Sequence, residues 1–126
     1  MKVLLLRYLA VGAAGFVGAI ARYLIATLFG NFGKAFPLGT LVINVSGSLF
    51  LGWFLTYCTL RGVSDMTRLA IGTGFVGAYT TFSTFMSESN NLVADGRGFA
   101  AILNLLGSLI LGILAVRLGM ALAHWR

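Results

Sequence analysis

The sequence has few of the side chains on which most soluble enzymes depend. Its 126 residues include one cysteine, one histidine and three acidic residues, and only 10% of them are charged. A lone cysteine excludes an internal disulfide and a thiolate metal cluster, because both need at least two thiols. A single histidine without a carboxylate cluster excludes a catalytic triad and a metal hydrolase site. We therefore expect a chain that is not an enzyme.

Apolar residues, in contrast, are abundant. They make up 59% of the sequence, and the mean hydropathy is +0.95. A membrane span needs about 20 predominantly apolar residues, and four such runs fit the chain, at 7–29, 38–60, 67–94 and 99–123. The first run is long enough to span, which favours a span over a cleaved signal peptide. The sequence predicts an all-α membrane protein with four transmembrane helices in one domain, residues 1–126.

The predicted connectors are short and contain turn and cap residues. They are Gly30–Gly33 with Pro37, then Arg61–Asp65, then Asp95–Gly98. Ser64 or Asp65 is expected to cap the helix that follows it. An even number of spans puts both termini on one side of the membrane, and the distribution of lysine and arginine predicts that this side is cytoplasmic. Basic loops at an anionic membrane surface explain the net charge of +6, so we expect no nucleic-acid partner.

The third apolar run contains an atypical segment, residues 72–85, in which glycines, hydroxyls and aromatic rings alternate. A bilayer core offers no water to backbone polar groups, so a loosened helix is tolerated only beside protein or a wet cavity. Such breaks are where membrane proteins present carbonyls and helix ends to ions. The segment predicts a third helix broken in mid-membrane, with a role in ion handling.

Polar residues inside the other spans fall at helical spacing. Thr40, Asn44, Ser48 and Gly52 form a stripe on the second span, and Asn104, Ser108 and Gly112 form one on the fourth. Small and hydroxyl residues commonly serve helix packing in membranes. The two asparagines are less ordinary, because each amide has four hydrogen-bonding positions to satisfy, and its NH₂ group can donate to an anion.

Four more side chains are candidates for a site. Arg22 lies inside the first span, where it either snorkels to the interface, anchors a neighbouring loop, or sets a positive potential at a pore mouth. Glu88 follows the predicted break by one turn, and either lines a vestibule or pairs with a cation. Phe82 and Phe85 are three residues apart and share a helix face. Two such rings usually pack in a core, but the hydroxyls interleaved with them weaken that interpretation.

These residues resemble a known family. Gly39–Asn44 with Gly47, Thr73–Gly77, and the Thr-Thr-Phe-Ser-Thr-Phe block Thr80–Phe85 are similar to the motifs of Fluc-type fluoride channels, the family also called CrcB. Arg22 occupies the first-span arginine position of that family. Length and the four-span layout agree, so the resemblance covers essentially the whole chain.

The resemblance implies an assembly. It would be an antiparallel, dual-topology homodimer in the cell inner (plasma) membrane, with two pores that passively export fluoride and protect the cell from its toxicity. A structural Na⁺ at the dimer interface would be held by carbonyls of Gly77 and Thr80 from both subunits. The bias in the charges fits dual topology poorly, because a chain inserted both ways should have nearly balanced ends.

The resemblance also implies pore residues. Phe82 and Phe85 would line the pore with ring edges, and Asn44 would contribute its amide. Hydroxyl contacts to fluoride would come from Ser83, Thr84 and Ser108. Some members have a tyrosine where this chain has Asn104, so the polar groups here are expected to be organised differently.

Two alternatives stay open at this stage. A small multidrug-type, proton-coupled exporter shares the four-span size, but it needs a membrane-embedded carboxylate, for which Glu88 is the only candidate. A structural subunit of a larger membrane complex would show no transport when purified.

Overall fold

The computed structural model describes residues 1–30 and 36–125, and all the regular elements in that part of the chain are helical. The predicted all-α fold is therefore confirmed. Lys34 and all of the predicted turn at 30–33 except Gly30 lie outside the described residues. The elements, in chain order, are α1 (Lys2–Gly30), α2 (Leu38–Arg61), α3 (Asp65–Arg68), a π-helix (Leu69–Val76), α4 (Gly77–Tyr79), α5 (Phe82–Ala94) and α6 (Gly98–His124).

Three of these helices, α1, α2 and α6, are long and apolar enough to cross a membrane. α2 and α6 begin and end within one residue of the predicted spans, whereas α1 begins at Lys2, five residues earlier than expected. The region predicted as a third, broken span at 67–94 is a series of shorter elements. Its glycines and β-branched threonines have low helix propensity, and its backbone changes from α to π geometry at Leu69 and becomes extended at Thr80 and Thr81.

Close helix contacts hold the bundle together. α2 and α6 make the most extensive helix–helix contact, and it depends on two glycines. A Cβ on Gly52 would overlap the carbonyl of Val116, and one on Gly119 would overlap the carbonyl of Leu49. Small residues allow such backbone approach in membranes. α1 packs on the π-helix in the same way, because a Cβ on Gly18 would overlap the carbonyl of Phe75.

The connector between α2 and α3 has well-defined caps. Gly62 ends α2 in the left-handed region with a φ of 62° and donates its N–H to the carbonyl of Cys58, a geometry that favours glycine. Ser64 caps α3, where its Oγ accepts a hydrogen bond of 3.2 Å from the N–H of Thr67. The sequence left the cap open between Ser64 and Asp65, and the structure identifies Ser64.

The long helices expose mostly apolar side chains. On α1 and α6, residues such as Phe16, Leu24, Leu106 and Ile113 are more than half exposed. A water-soluble monomer rarely exposes an apolar surface of this extent. The exposed surface therefore suits lipid tails or a partner chain rather than water.

Candidate functional site

The centre of the site is the short extended segment between α4 and α5. Thr80 and Thr81 have ψ angles of 158° and 119°, outside the helical region. Asn44 on α2 pairs with the backbone of Thr81 in both directions. Its Nδ2 donates to the carbonyl of Thr81 at 2.9 Å, and its Oδ1 accepts from the N–H of Thr81 at 2.8 Å. One N–H of the Asn44 amide is not used by this pair, since the NH₂ group carries two donors.

This arrangement deprives backbone carbonyls at the end of α4 of their helical donors, those of Gly77 and Thr80 among them. In a continuous α-helix the N–H of residue i bonds the carbonyl of residue i−4, so Gly77 and Thr80 would receive the N–H groups of Thr81 and Thr84. The N–H of Thr81 instead donates to Asn44, and the N–H of Thr84 donates to the Thr81 hydroxyl at 3.3 Å. The carbonyls of Gly77 and Thr80 thus lose their helical donors, which makes them available to another partner.

A glycine on α2, Gly47, allows this helix to lie close to the extended segment. A Cβ on Gly47 would overlap the Cγ2 methyl of Thr80, so any larger residue there would push the segment away from α2. Next to this contact, the hydroxyls of Ser46 and Tyr79 are hydrogen-bonded at 2.9 Å. Both contacts fix the position of α4 at the point where its last turn ends.

Beside the segment lies a cavity of about 340 Å³, which we call the break cavity. It brings together Asn44, Phe82, Phe85 and Ser108, which the sequence singled out separately. The two rings have centroids 6.2 Å apart and planes inclined by 61°, so the edge of one ring faces the other. Phe82 is 73% exposed, while Phe85 and Ser108 are half-buried. Within residues 1–30 and 36–125, no charged side chain lines this cavity.

Ser83 and Thr84, also predicted as hydroxyl contacts, do not line the break cavity. Both are exposed. The Thr84 hydroxyl accepts a hydrogen bond from the hydroxyl of Thr81 at 3.0 Å, so it belongs to the first turn of α5. The structure of one chain thus gives Thr84 a capping contact and directs Ser83 to the molecular surface.

Glu88 lies in a second cavity, of about 330 Å³, which we call the Glu88 cavity. Its Oε1 accepts a hydrogen bond of 2.9 Å from the hydroxyl of Thr40, which lies on the polar stripe of α2. Its Oε2 is buried and forms no hydrogen bond within the described residues. Asp95 and Arg97 line the same cavity. Its role, in a vestibule or with a cation, stays a prediction.

Arg22 lines neither the break cavity nor the Glu88 cavity. It is half-buried in α1, and among the described residues it forms no hydrogen bond or ion pair. The structure of one chain therefore leaves its proposed role at a pore mouth as a prediction.

Sequence reasoning missed a buried polar chain that ends at Phe85. Asn104 on α6 is 1% exposed and donates to the Ser89 hydroxyl at 2.9 Å. Ser89 in turn donates to the carbonyl of Phe85 at 2.8 Å, and Ser108 approaches Asn104 Oδ1 at 3.5 Å. Only the Asn104–Ser108 spacing of four residues was visible in the sequence. Sequence reasoning also missed that Thr81 caps α5, although a threonine ahead of a helix is the expected signal.

Comparison with known proteins agrees with this architecture. The family model described as "CrcB-like protein, Camphor Resistance (CrcB)" matches residues 9–120. A relative from Chlorobium phaeobacteroides (strain BS1), named fluoride-specific ion channel FluC, is 45% identical over 117 residues, covering 91% of both chains. A protein of the same name from Prosthecochloris aestuarii is 46% identical over 118 residues, covering 92% of this chain and 91% of the relative. A third protein of this name, from Idiomarina loihiensis, is 42% identical over 123 residues, covering 97% of this chain and 95% of the relative.

These matches extend over nearly the whole chain and far exceed the similarity needed to assign a family. The relatives are named as ion channels, which are not a class of enzyme. Together with the three membrane-length helices, the matches make this chain a multi-pass protein of the cell membrane, as predicted. The chain belongs to the CrcB family.

Proposed function

We propose that this chain forms a fluoride-selective channel through which the ion leaves the cytoplasm passively. The observation that carries the proposal is the break cavity, where uncharged donors and two aromatic rings meet beside a non-helical backbone segment. The relatives named fluoride-specific ion channels support the choice of ion. Fluoride that enters a cell as HF and dissociates in the more neutral cytoplasm would leave down its own gradient.

The chemistry of the cavity suits a small, strongly hydrated anion. A pore must replace the water lost by the ion while still releasing the ion. Asn44 supplies the amide N–H not used by Thr81, Ser108 supplies a hydroxyl, and the ring edges of Phe82 and Phe85 are electropositive. A cation fixed among these groups would hold the anion too tightly for fast passage, and none of the described residues that line the cavity is cationic.

Fluoride efflux from liposomes that contain only this protein tests the proposal. Liposomes loaded with potassium fluoride are diluted into fluoride-free buffer, and valinomycin is added to prevent a limiting potential. We expect rapid fluoride release, and much slower release when the liposomes are loaded with chloride. Purified, monodisperse protein that releases no fluoride would overturn the proposal and favour the structural-subunit alternative.

The exporter alternative has little support. The relatives are named as channels rather than exporters. In addition, the carboxylate of Glu88 accepts a hydrogen bond from Thr40 and lies in a cavity separate from the break cavity. A proton-coupled mechanism would require this single carboxylate to serve both substrate and proton.

We further infer that two chains assemble in antiparallel orientation around a Na⁺ ion. The support is the pair of carbonyls, on Gly77 and Thr80, that the Asn44–Thr81 pairing and the α5 cap deprive of helical donors. Released carbonyls of a broken helix are typical Na⁺ ligands in membrane proteins. The ion would neutralise these dipoles at the interface. Gly77 is exposed in the single chain, which leaves room for a partner to complete the site.

Two measurements test the assembly. Cysteines introduced at Arg61 and at Asp95, which lie at opposite ends of the bundle, are labelled from outside intact cells with an impermeant reagent. Each is expected to react in about half of the molecules if both orientations are inserted, and reaction of only one site would contradict dual topology. For the ion, we expect a higher melting temperature in Na⁺ than in K⁺ or N-methylglucamine. Equal melting temperatures would contradict the Na⁺ site.

A further inference from the structure

The break cavity adjoins a second space that extends toward one end of the bundle. This groove has a volume of about 360 Å³ and shares three lining residues, Ser48, Ser108 and Leu109, with the break cavity. It continues along α6 past Gly112 to Arg117, and we call it the Arg117 groove. Gly112 and Ser48 leave it open, because neither carries a side chain large enough to fill it.

Arg117 is the only charged residue among those that line either space. Among the described residues it forms no hydrogen bond or ion pair. The chain has three acidic residues, and none of them lines the groove or the break cavity. The positive charge at this end of the path is therefore not neutralised by a carboxylate lining it.

The depth of Arg117 distinguishes it from the basic residues of the loops. It lies seven residues before the end of α6 at His124, which corresponds to roughly 10 Å along the helix. Ser108 lies nine residues before it, or roughly 13.5 Å deeper. Arg61, in contrast, is the last residue of α2, and its guanidinium lies 5.9 Å from the ring centroid of Tyr57, outside the groove.

We propose that Arg117 is an anion-attracting residue at one mouth of the conduction path. It raises the concentration of small monovalent anions at the entrance without binding them inside the narrow part. The inference rests on the proposed fluoride conduction and adds to it a residue that sets how fast anions enter. Clefts lined by charge of one sign raise local counter-ion concentration in this way, and the effect falls steeply with ionic strength.

The expected size of the effect follows from the distance to Ser108. A unit charge at about 13.5 Å raises the occupancy of an anion about two-fold with the dielectric constant of water, and about eight-fold with an effective value of 20. We therefore expect Arg117→Gln to lower fluoride efflux about two- to eight-fold at about 0.01 M ionic strength. At about 1 M the Debye length is about 3 Å, and the variant and the parent should release fluoride at nearly equal rates.

The matched control is Arg61→Gln, which removes one positive charge from the same end of the bundle. At about 0.1 M ionic strength it should leave efflux within about 1.5-fold of the parent, since the Debye length there is about 10 Å and a charge outside the groove is screened. Arg117→Lys should retain parental efflux, because the effect depends on charge rather than on guanidinium geometry. Loss of efflux in the lysine variant, or parental efflux in Arg117→Gln at low ionic strength, would overturn the inference. Absence of fluoride efflux from the parent would instead overturn the proposed function.

A second variant guards against misfolding. Arg117→Cys is reconstituted once and then treated with either a cationic or an anionic methanethiosulfonate reagent. The native Cys58 is 1% exposed, so the treated parent serves as the control for labelling elsewhere. We expect the cationic label to raise efflux and the anionic label to lower it in the same preparation. Equal responses to the two labels would overturn the inference.

Discussion

Replacing Asn44 with leucine should destabilise the protein through Thr81 rather than through the loss of a pore contact alone. Asn44→Leu removes both hydrogen bonds to the Thr81 backbone, of 2.8 and 2.9 Å. Thr81 is 8% exposed, so its N–H would be left buried without a partner, whereas its carbonyl, as the N-cap carbonyl of α5, still accepts the first bond of that helix. Leucine has the same branching and the same number of side-chain heavy atoms as asparagine, so the change mainly removes the polar contacts.

The magnitude can be bounded from two sides. Hydrogen bonds between helices in membranes contribute about 0.6 kcal/mol each on average, so two of them give about 1.2 kcal/mol. A buried polar group left without a partner costs about 1–3 kcal/mol, and the change leaves one such group, the N–H of Thr81. We expect the free energy of unfolding to fall by about 1–3 kcal/mol, the range that both bounds give.

Unfolding in detergent, followed by circular dichroism at increasing denaturant, measures this change. Asn90→Leu is the matched control, since Asn90 is an exposed amide on α5, and it should change stability by less than about 0.5 kcal/mol. A loss below about 0.5 kcal/mol in Asn44→Leu would refute the argument. Asn44→Asp keeps the acceptor for the Thr81 N–H but replaces the donor with a like-charged group, so it should reduce fluoride efflux strongly.

Three other predictions concern the rings, the carboxylate and the buried amide. Phe82→Ile and Phe85→Ile should leave a monodisperse protein, since apolar burial is mostly retained. Both variants should conduct fluoride poorly, because the ring edges are lost. Replacement of either ring by methionine should reduce conduction less. Parental efflux in both Ile variants, with Phe99→Ile as the exposed control on α6, would exclude an aromatic-lined pore. Glu88→Gln should preserve passive fluoride efflux at a changed rate. Complete loss of fluoride efflux in this variant, together with proton-coupled dye transport by the parent, would favour an exporter. Asn104→Leu should lower unfolding free energy by about 1–3 kcal/mol, measured as above, and an unchanged value would show that its contact with Ser89 contributes nothing.

The limits of sequence reasoning are visible on either side of Thr80. Apolar runs located α2 and α6 to within one residue, because membrane thickness fixes the length of a span. Helical spacing also brought Phe82 and Phe85 to one cavity, since both belong to α5. Ser83 and Thr84, which the resemblance implied as hydroxyl contacts, do not line that cavity. Two extended residues reset the rotational phase of the helix, so the pattern before the break does not say which face of α5 turns toward α2.

The pairing of Asn44 with Thr81 was beyond the sequence for a different reason. The two residues are 37 positions apart, and an amide does not specify which backbone groups it will satisfy. The block of glycines, threonines and phenylalanines predicts that a partner is needed, and the polar stripe of α2 predicts where amides are available. Which amide meets which backbone group depends on how closely α2 approaches the extended segment. The contact of Gly47 with Thr80 sets that distance.

On the proposed function, one break in one helix serves two ions of opposite charge. Interrupting the ladder frees carbonyls on Gly77 and Thr80, whose negative ends suit a cation. The Asn44 amide satisfies both backbone groups of Thr81 and still has one N–H that can face the break cavity, where an anion needs donors. The Asn44–Thr81 pairing therefore leaves carbonyl acceptors for the cation and an amide donor for the anion. It follows that Asn44→Leu should weaken both the stabilisation by Na⁺ and the efflux of fluoride, whereas the phenylalanine variants should weaken only efflux. Retention of the full Na⁺ effect in Asn44→Leu would show that the two ion sites are independent.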